Sequence, residues 1–270
     1  MRASAGDHGP SIDTIAAALR AAGCVFATEE AALLAAAAPT SEALRAMVGQ
    51  RAEGLPLEHI VGWAEFCGLR VAVDPGVFVP RLRSEFLVRQ AAALCEPGMI
   101  VLDLACGCGA IGAAIAALAA GVELHACDVD PVAVRCARRN LTPSGGHVYA
   151  GDLYQPLPAA LRGRVAVIAA NLPYVPAGEV RLMPAEARTH EPLAALDGGP
   201  DGLDVLRRAA AGAGDWLAPG GHVLIEIGAG QADAASAAFA AAGLTAAVTH
   251  DAELDATVIT GRRAVPGPHR

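Results

Sequence analysis

Residues 101–112 read VLDLACGCGAIG, and the fold is decided there. With Met99 and Ile100 in front, the run MIVLDL is apolar enough and long enough for a buried strand. Gly107 and Gly109 follow, and glycine lets backbone lie against a ligand where a side chain would collide. Ala110–Ala120 then reads as a helix, whose first turn offers N–H groups and the positive end of its dipole. Asp128 ends the next strand about 20 residues on, where a carboxylate can accept both hydroxyls of a ribose. Strand, glycine loop, helix and acidic residue in that order imply a cofactor containing a nucleoside.

The same alternation extends toward the C-terminus. Glu123–Cys127 reads as a strand, and Asp130-Pro131 opens a helix with a capping side chain and a proline at its first position. Further strands are expected near 147–150, 165–170, 222–227, 245–249 and 256–260, with helices near 201–217 and 230–242. Apolar strands separated by helices mean a parallel sheet covered on both faces. No helix separates the last two strands, so these should pair antiparallel. The expectation is an α/β fold with a doubly wound, mostly parallel seven-stranded sheet, binding its ligand at the carboxyl ends of the strands.

Toward the N-terminus the period changes. Ser11 caps a helix to Ala22, Thr28-Glu29-Glu30 opens a second to about Ala38, and 41–53 reads as a third, closed by Gly54 and Pro56. Glu65–Val73 alternates as a strand does, and Asp74-Pro75-Gly76 makes a turn, a β-hairpin joint over 64–80. A helix follows from 82.

Composition limits the function classes. Hydrophobic residues make up 54% of the 270, and charged residues 18%, as in a globular enzyme with a large core. The net charge of −8 argues against a partner gripped through phosphates. Every basic residue is arginine, which coding bias explains better than function. Met1–Pro10 is polar, with no secretory leader pattern, and no apolar run is long enough to span a membrane. Seven cysteines without paired spacing suit a reducing, cytoplasmic setting. Cys106 and Cys108 form a CxC, but with no second pair and no nearby histidine pair they read as buried thiols beside glycines, and no metal is expected.

Two further segments carry chemistry. Gly151-Asp152-Leu153 ends a later strand and fits a contact near an adenine, although Asp152 could equally be a helix cap. Val165–Pro176 reads VAVIAANLPYVP, a buried strand ending in the turn Asn171-Leu172-Pro173-Tyr174. An amide or an exocyclic amine is a poor nucleophile because its lone pair is delocalised. Acceptors at Asn171 Oδ1 and the Leu172 carbonyl would hold its two N–H groups and shift electron density toward nitrogen. Pro173 restricts Leu172 to extended geometry, and Tyr174 offers a flat face to a planar group. Alone, such a tetrapeptide is more often a plain surface turn. At the end of a strand beside a glycine loop, catalysis is the better reading.

Gly107–Gly112 literally fits GxGxxG, so a nicotinamide dinucleotide remains an alternative. Asp103, four residues before Gly107, makes the loop resemble the acidic-x-(Gly/Ala)-x-Gly-x-Gly loop of class I methyltransferases. The 171–174 turn looks like the (Asn/Asp)-Pro-Pro-Tyr motif of amino-directed methyltransferases. Pro56-Leu-Glu-His-Ile-Val-Gly62, Phe78-Val-Pro-Arg81 with Ser84-Glu85, Glu191-Pro-Leu-Ala-Ala-Leu196, Asp197-Gly-Gly199 and Asp201-Gly-Leu203 narrow the resemblance. Together these segments resemble the protein-(glutamine-N5) methyltransferases, the PrmC/HemK group that modifies peptide chain release factors, over about 55–261.

That resemblance implies S-adenosyl-L-methionine as cofactor, with Ala105, Cys106, Gly107, Cys108 and Gly109 in its loop. It places Asp128 on the ribose, Asp152 and Leu153 near the adenine, and Asn171–Tyr174 on the substrate amide, with Asn171 also beside the cofactor. It implies a substrate-recognition domain of helices over 1–63, the joint at 64–80 and a class I methyltransferase domain over 81–270. The partner implied is a protein, a release factor, with neither nucleic acid nor membrane. Three departures stand out: Ala105 for the first loop glycine, Leu172 for the first proline, and Arg81-Leu-Arg-Ser-Glu85 for Pro-Arg-Pro-x-Thr-Glu. The first two fall where the roles are mostly those of backbone, and the third bears on which protein is methylated. Two other classes stay open, an adenine N6-methyltransferase, which would need a basic rim around the site, and a catalytically silent binding module.

Overall fold

Strand β3 (Ile100–Leu104) is completely buried and forms the centre of the sheet in the computed structural model, which describes residues 9–265. The part of the Met1–Pro10 reading up to His8 lies outside the described residues. After β3 come α6 (Ala110–Leu118), β4 (Glu123–Asp128), α7 (Pro131–Leu141), β5 (His147–Ala150) and β6 (Val165–Ala170). Then follow α8 (Ala185–His190), α9 (Asp204–Trp216), β7 (Leu217–Ile227), α10 (Ala232–Ala241), β8 (Leu244–Asp251) and β9 (Ala256–Arg263). The seven strands lie in the order β5-β4-β3-β6-β7-β9-β8. The first five are parallel, and β9 runs antiparallel to both neighbours. This is the doubly wound, mostly parallel seven-stranded sheet expected from the alternation.

The order reverses between β3 and β6, and such a switch point opens a crevice at the carboxyl ends of the two strands. Alternate residues of β3 feed opposite faces. Val101 joins Ala126 and Val167 in a core under α5 (Glu85–Ala92), α6 and α7. Leu102 and Leu104 join Ile168, Leu206 and Phe239 under α9 and α10. A third core of Ile15, Leu19, Leu34 and Leu44 holds together α1 (Ile12–Ala21), α2 (Ala27–Ala37) and α3 (Ser41–Ala52). Caps explain where these helices start: Ser11 accepts from Thr14 N, Thr40 from Ala43 N, and Asp130 from Val132 N. No described helix is long and apolar enough to cross a membrane.

Two boundaries differ from those expected. Glu65–Val73 is not one strand but contains the end of β1 (Trp63–Phe66), a turn and β2 (Leu69–Ala72), which pair antiparallel as a hairpin. Its own turn is Cys67-Gly68, at φ 49° and 72°, and the expected turn at Asp74-Pro75-Gly76 follows β2, closed by Val77 N donating to the Asp74 carbonyl at 3.0 Å. A cysteine in a left-handed turn gives little sequence signal, and the apolar alternation runs straight through it. Helix α9 begins at Asp204 rather than 201, because Gly202 is left-handed (φ 78°) and its backbone presses against Tyr174. The short helices α4 (Leu57–Val61) and α8 are additional.

Candidate active site

At the switch point lies a cavity of about 540 Å³. Ala105, Cys106, Gly107 and Cys108 form one wall, Asp128, Asp152 and Leu153 a second, and Asn171–Tyr174 a third. Phe66 of the hairpin and Phe78-Val79-Pro80-Arg81 beyond it contribute to the rest through Phe66, Phe78, Pro80 and Arg81. The residues singled out for cofactor and substrate therefore face one space, with one exception. Gly109 stands behind the wall, where a Cβ would come within 2.9 Å of Leu141 Cδ1. Its glycine serves the packing of the loop on α7, whereas a Cβ on Gly107 (φ 55°) would meet only open space. Gly112 has a third reason: a Cβ there would sit 3.0 Å from Asp103 Oδ2.

Asp128 is held by its own surroundings. Oδ2 accepts from Gly107 N at 2.8 Å and Oδ1 from Asp130 N at 2.9 Å. A carboxylate oxygen has a second lone pair, so each still has capacity for a hydroxyl. Burial pushes its pKa upward, and these backbone N–H bonds oppose the shift. Ala105 (φ 56°) and Leu153 (φ 46°) both take left-handed backbone on the cavity wall, which costs about 1–2 kcal/mol for a residue with a Cβ. Cys127 Sγ bonds the Leu153 carbonyl at 3.1 Å and helps to hold that conformation. Cys106 and Cys108 are buried, and burial pushes both thiols well up, so they stay protonated. Asp152 caps no helix; it pairs with Arg208 of α9 across the rim.

The 171–174 turn is fixed on several sides. Leu172 is 2% exposed and packs into the core below α9, so this side chain does more than occupy a backbone position. Val175 N donates to the Leu196 carbonyl, and Gly198 N to the Val175 carbonyl. Gln231 Nε2 donates to the Tyr174 carbonyl at 2.9 Å. A Cβ on Gly198 would lie 2.6 Å from the Pro173 carbonyl oxygen, and one on Gly202 2.2 Å from that of Tyr174. The segments 197–199 and 201–203 are thus glycine-rich because they lie directly on the turn. Burial and the Glu226 carboxylate push the Tyr174 phenol up to about 12, so it remains neutral near pH 7.

Several residues of the site escaped the sequence reading. Glu226 of β7 is buried; it accepts from Ser84 Oγ at 2.6 Å, Arg83 Nε at 3.0 Å and Tyr174 OH at 3.4 Å. Ser84 Oγ in turn accepts from Asn171 Nδ2 at 3.3 Å. The signal was present, since a lone glutamate in the apolar run Val223–Ile227 (VLIEI) needs a partner. Glu191 is also buried and takes Arg81 Nη2 on both oxygens, at 2.7 and 2.6 Å. That pair joins the segments 78–81 and 191–196 across the cavity.

Residues 68–199 match the methyltransferase small domain family. Curated relatives carry the name release factor glutamine methyltransferase. The protein from Geobacter sulfurreducens is 36% identical over 203 residues, covering 74% of this chain and 70% of its own. That from Mycolicibacterium smegmatis is 37% identical over 234 residues, covering 80% and 83%. Among solved structures, a methyltransferase from Pyrococcus furiosus superposes with a TM-score of 0.56 at 17% identity, covering 73% of this chain and 90% of that one, a likeness of fold. With the glycine loop and the Asn171 turn on one cavity, these similarities identify the chain as a methyltransferase, a member of the release factor glutamine methyltransferase family.

Proposed function

We propose that this protein transfers a methyl group from S-adenosyl-L-methionine to the side-chain amide nitrogen of a glutamine in a peptide chain release factor. One observation carries the reading: the 105–108 loop and the Asn171–Tyr174 turn line the same cavity. The donor set fits the cofactor. Asp128, with capacity left on both oxygens, would take the ribose, Gly107 gives room for a close approach, and Leu153 and Val205 line an apolar end suited to an adenine. The sulfonium supplies an already activated methyl group, so no general base of unusual pKa is needed.

The chain's own residues then bind and orient. Asn171 Oδ1 and the Leu172 carbonyl accept the two N–H groups of the target amide, and Tyr174 supports its plane. Alignment of this kind is worth ~7–11 kcal/mol of barrier. A protein target is favoured over a nucleic acid by the charge around the cavity. The arginines that line it, Arg81, Arg83 and Arg208, are each paired with a carboxylate, Glu191, Glu226 and Asp152 respectively, so they present little net positive charge to phosphates. The helices of 12–52 form the candidate recognition domain for that protein.

The test incubates the chain with labelled S-adenosylmethionine and purified release factor, and maps the label by mass spectrometry. Label on a glutamine amide is expected, and Asn171→Ala should lower the single-turnover rate at least ~10²-fold, as for one lost preorganised polar contact. Label on another residue type or on RNA, or a well-folded Asn171→Ala at the parent's rate, would overturn the assignment.

A further inference from the structure

The amide of Asn171 can face the cavity in two ways, with oxygen or with nitrogen, and only the oxygen can accept a hydrogen from a target amide. We propose that Glu226 is a positioning residue that sets this polarity, acting on Asn171 through Ser84. The inference rests on the reading of Asn171 as the acceptor for the substrate nitrogen.

The number of available protons fixes the direction of each hydrogen bond in this cluster. Glu226 and Ser84 are each 2% exposed, so their hydrogen bonds must be made with each other and with near neighbours. Glu226 forms an ion pair with Arg83 Nε at 3.0 Å. A carboxylate has no proton to give, so along the 2.6 Å contact the Ser84 hydroxyl must donate to Oε2. A hydroxyl has only one proton. Once it is committed to Glu226, Ser84 Oγ can only accept, and the neighbour it accepts from is Asn171 Nδ2, at 3.3 Å. The nitrogen of Asn171 is thereby drawn toward Ser84, and Oδ1 is left on the opposite side of the amide as an acceptor. Turned the other way, Oδ1 would face a hydroxyl oxygen whose proton is already used.

The topology makes the relay possible. Ala170 and Ile225 are register partners on the parallel strands β6 and β7, so Asn171 and Glu226 each follow that pair by one residue at the carboxyl edge. Ser84 closes the 3₁₀ turn Leu82–Ser84 at the start of α5. Glu226 also accepts from Tyr174 OH at 3.4 Å, so one carboxylate touches both ends of the 171–174 turn, directly at one and through a serine at the other.

The test uses the full-length chain with nitrogen-15 label. The side-chain amide signals of Asn171 are assigned as those lost in Asn171→Asp. In the parent, one Nδ2 proton should show a nuclear Overhauser contact to the Ser84 β-protons. In Glu226→Gln the amide can offer nitrogen to Ser84, the hydroxyl proton is freed, and that contact should fade with a shift of both Asn171 signals. Single-turnover methyl transfer to the release factor should fall about 10- to 100-fold, the scale of a misaligned reacting group, with cofactor affinity and substrate KM near the parent's. Should Glu226→Gln not fold, Ser84→Ala removes the same link and should give the same shift and loss, and Ser84→Thr should recover most of both. Asn171 signals and rates unchanged in a folded Glu226→Gln or Ser84→Ala would overturn the relay. The spectra need no substrate, so a parent with the expected contact but no turnover would count against the release-factor reading and leave the relay standing.

Discussion

Asp103 has no exposure to solvent, and its position in β3 has a consequence for stability. Oδ2 accepts from Gly112 N at 2.8 Å, and Oδ1 has no partner among the described residues. Burial therefore pushes its carboxyl up to about 8. In the unfolded chain the group loses its proton near ~4. Between those limits the folded chain binds one proton more than the unfolded chain, so stability falls as pH rises through the window and levels off above it. Asp103→Asn keeps the acceptor for Gly112 and cannot ionise. Thermal melts should show the variant gaining on the parent from pH 4 to about pH 8, with a constant offset above that. A difference independent of pH would mean that Asp103 is ionised when folded. The same residue explains why its own motif is acidic-x-Ala-x-Gly: the carboxyl ties the strand to the helix that follows the loop.

At the level of elements, Asn140 connects three parts that are distant in sequence. Near the C-terminal end of α7, its Oδ1 accepts from Ala72 N at 2.9 Å, and its Nδ2 donates to the Ala72 carbonyl at 2.9 Å and the Cys108 carbonyl at 2.8 Å. One amide thus fixes the hairpin's second strand and the glycine loop to the same helix. Asn140→Ala leaves those backbone groups without that partner, at a cost of about 1–3 kcal/mol. Chemical denaturation should show a lower midpoint, and calorimetry a weaker binding of S-adenosylmethionine than in the parent, because the loop loses its brace. Parent-like values in both measurements would show that water replaces the amide without loss. One of the segments that carry the family resemblance, 56–62, is itself a brace. Gly62 closes α4 in left-handed backbone (φ 82°), and His59 Nε2 lies 2.8 Å from the Val77 carbonyl.

For the whole molecule, one link between the N-terminal helices and the rest of the chain passes through Arg51. Its guanidinium pairs with Glu30 of α2 at 2.6 Å and with Glu186 of α8 at 2.7 Å, while also donating to the Leu55 carbonyl. The cavity and the glycine loop lie outside 1–54, so the proposed division of labour is open to a direct test. Deleting residues 1–54 should abolish methylation of the release factor while S-adenosylmethionine binding stays measurable by calorimetry. The melting temperature should drop, because Leu57, Ile60 and Val61 pack against the helices that are removed. Equal turnover of the protein substrate by the truncated chain would show that these helices do not recognise it.

Sequence alone was sufficient for what depends on local order. The apolar runs at 100–104 and 165–170, the glycines between strand and helix, and the caps at Ser11 and Asp130 report on their own few residues, and a doubly wound, mostly parallel sheet follows from their alternation, whereas the strand order that sets the switch point does not. The resemblance at 171–174 and its flanks was legible for the same reason, being written in contiguous residues. Tertiary structure alone decided that Gly109 supports α7 instead of lining the cavity, that Leu172 is a core residue, and that the cavity's arginines are neutralised. It also decided that Glu226, 55 residues after Asn171, shares with it a serine 87 residues before it. Such contacts join residues far apart in the chain, and no period or spacing encodes which buried carboxylate will meet which hydroxyl. Only closure of the sheet brings their protons within reach of one another.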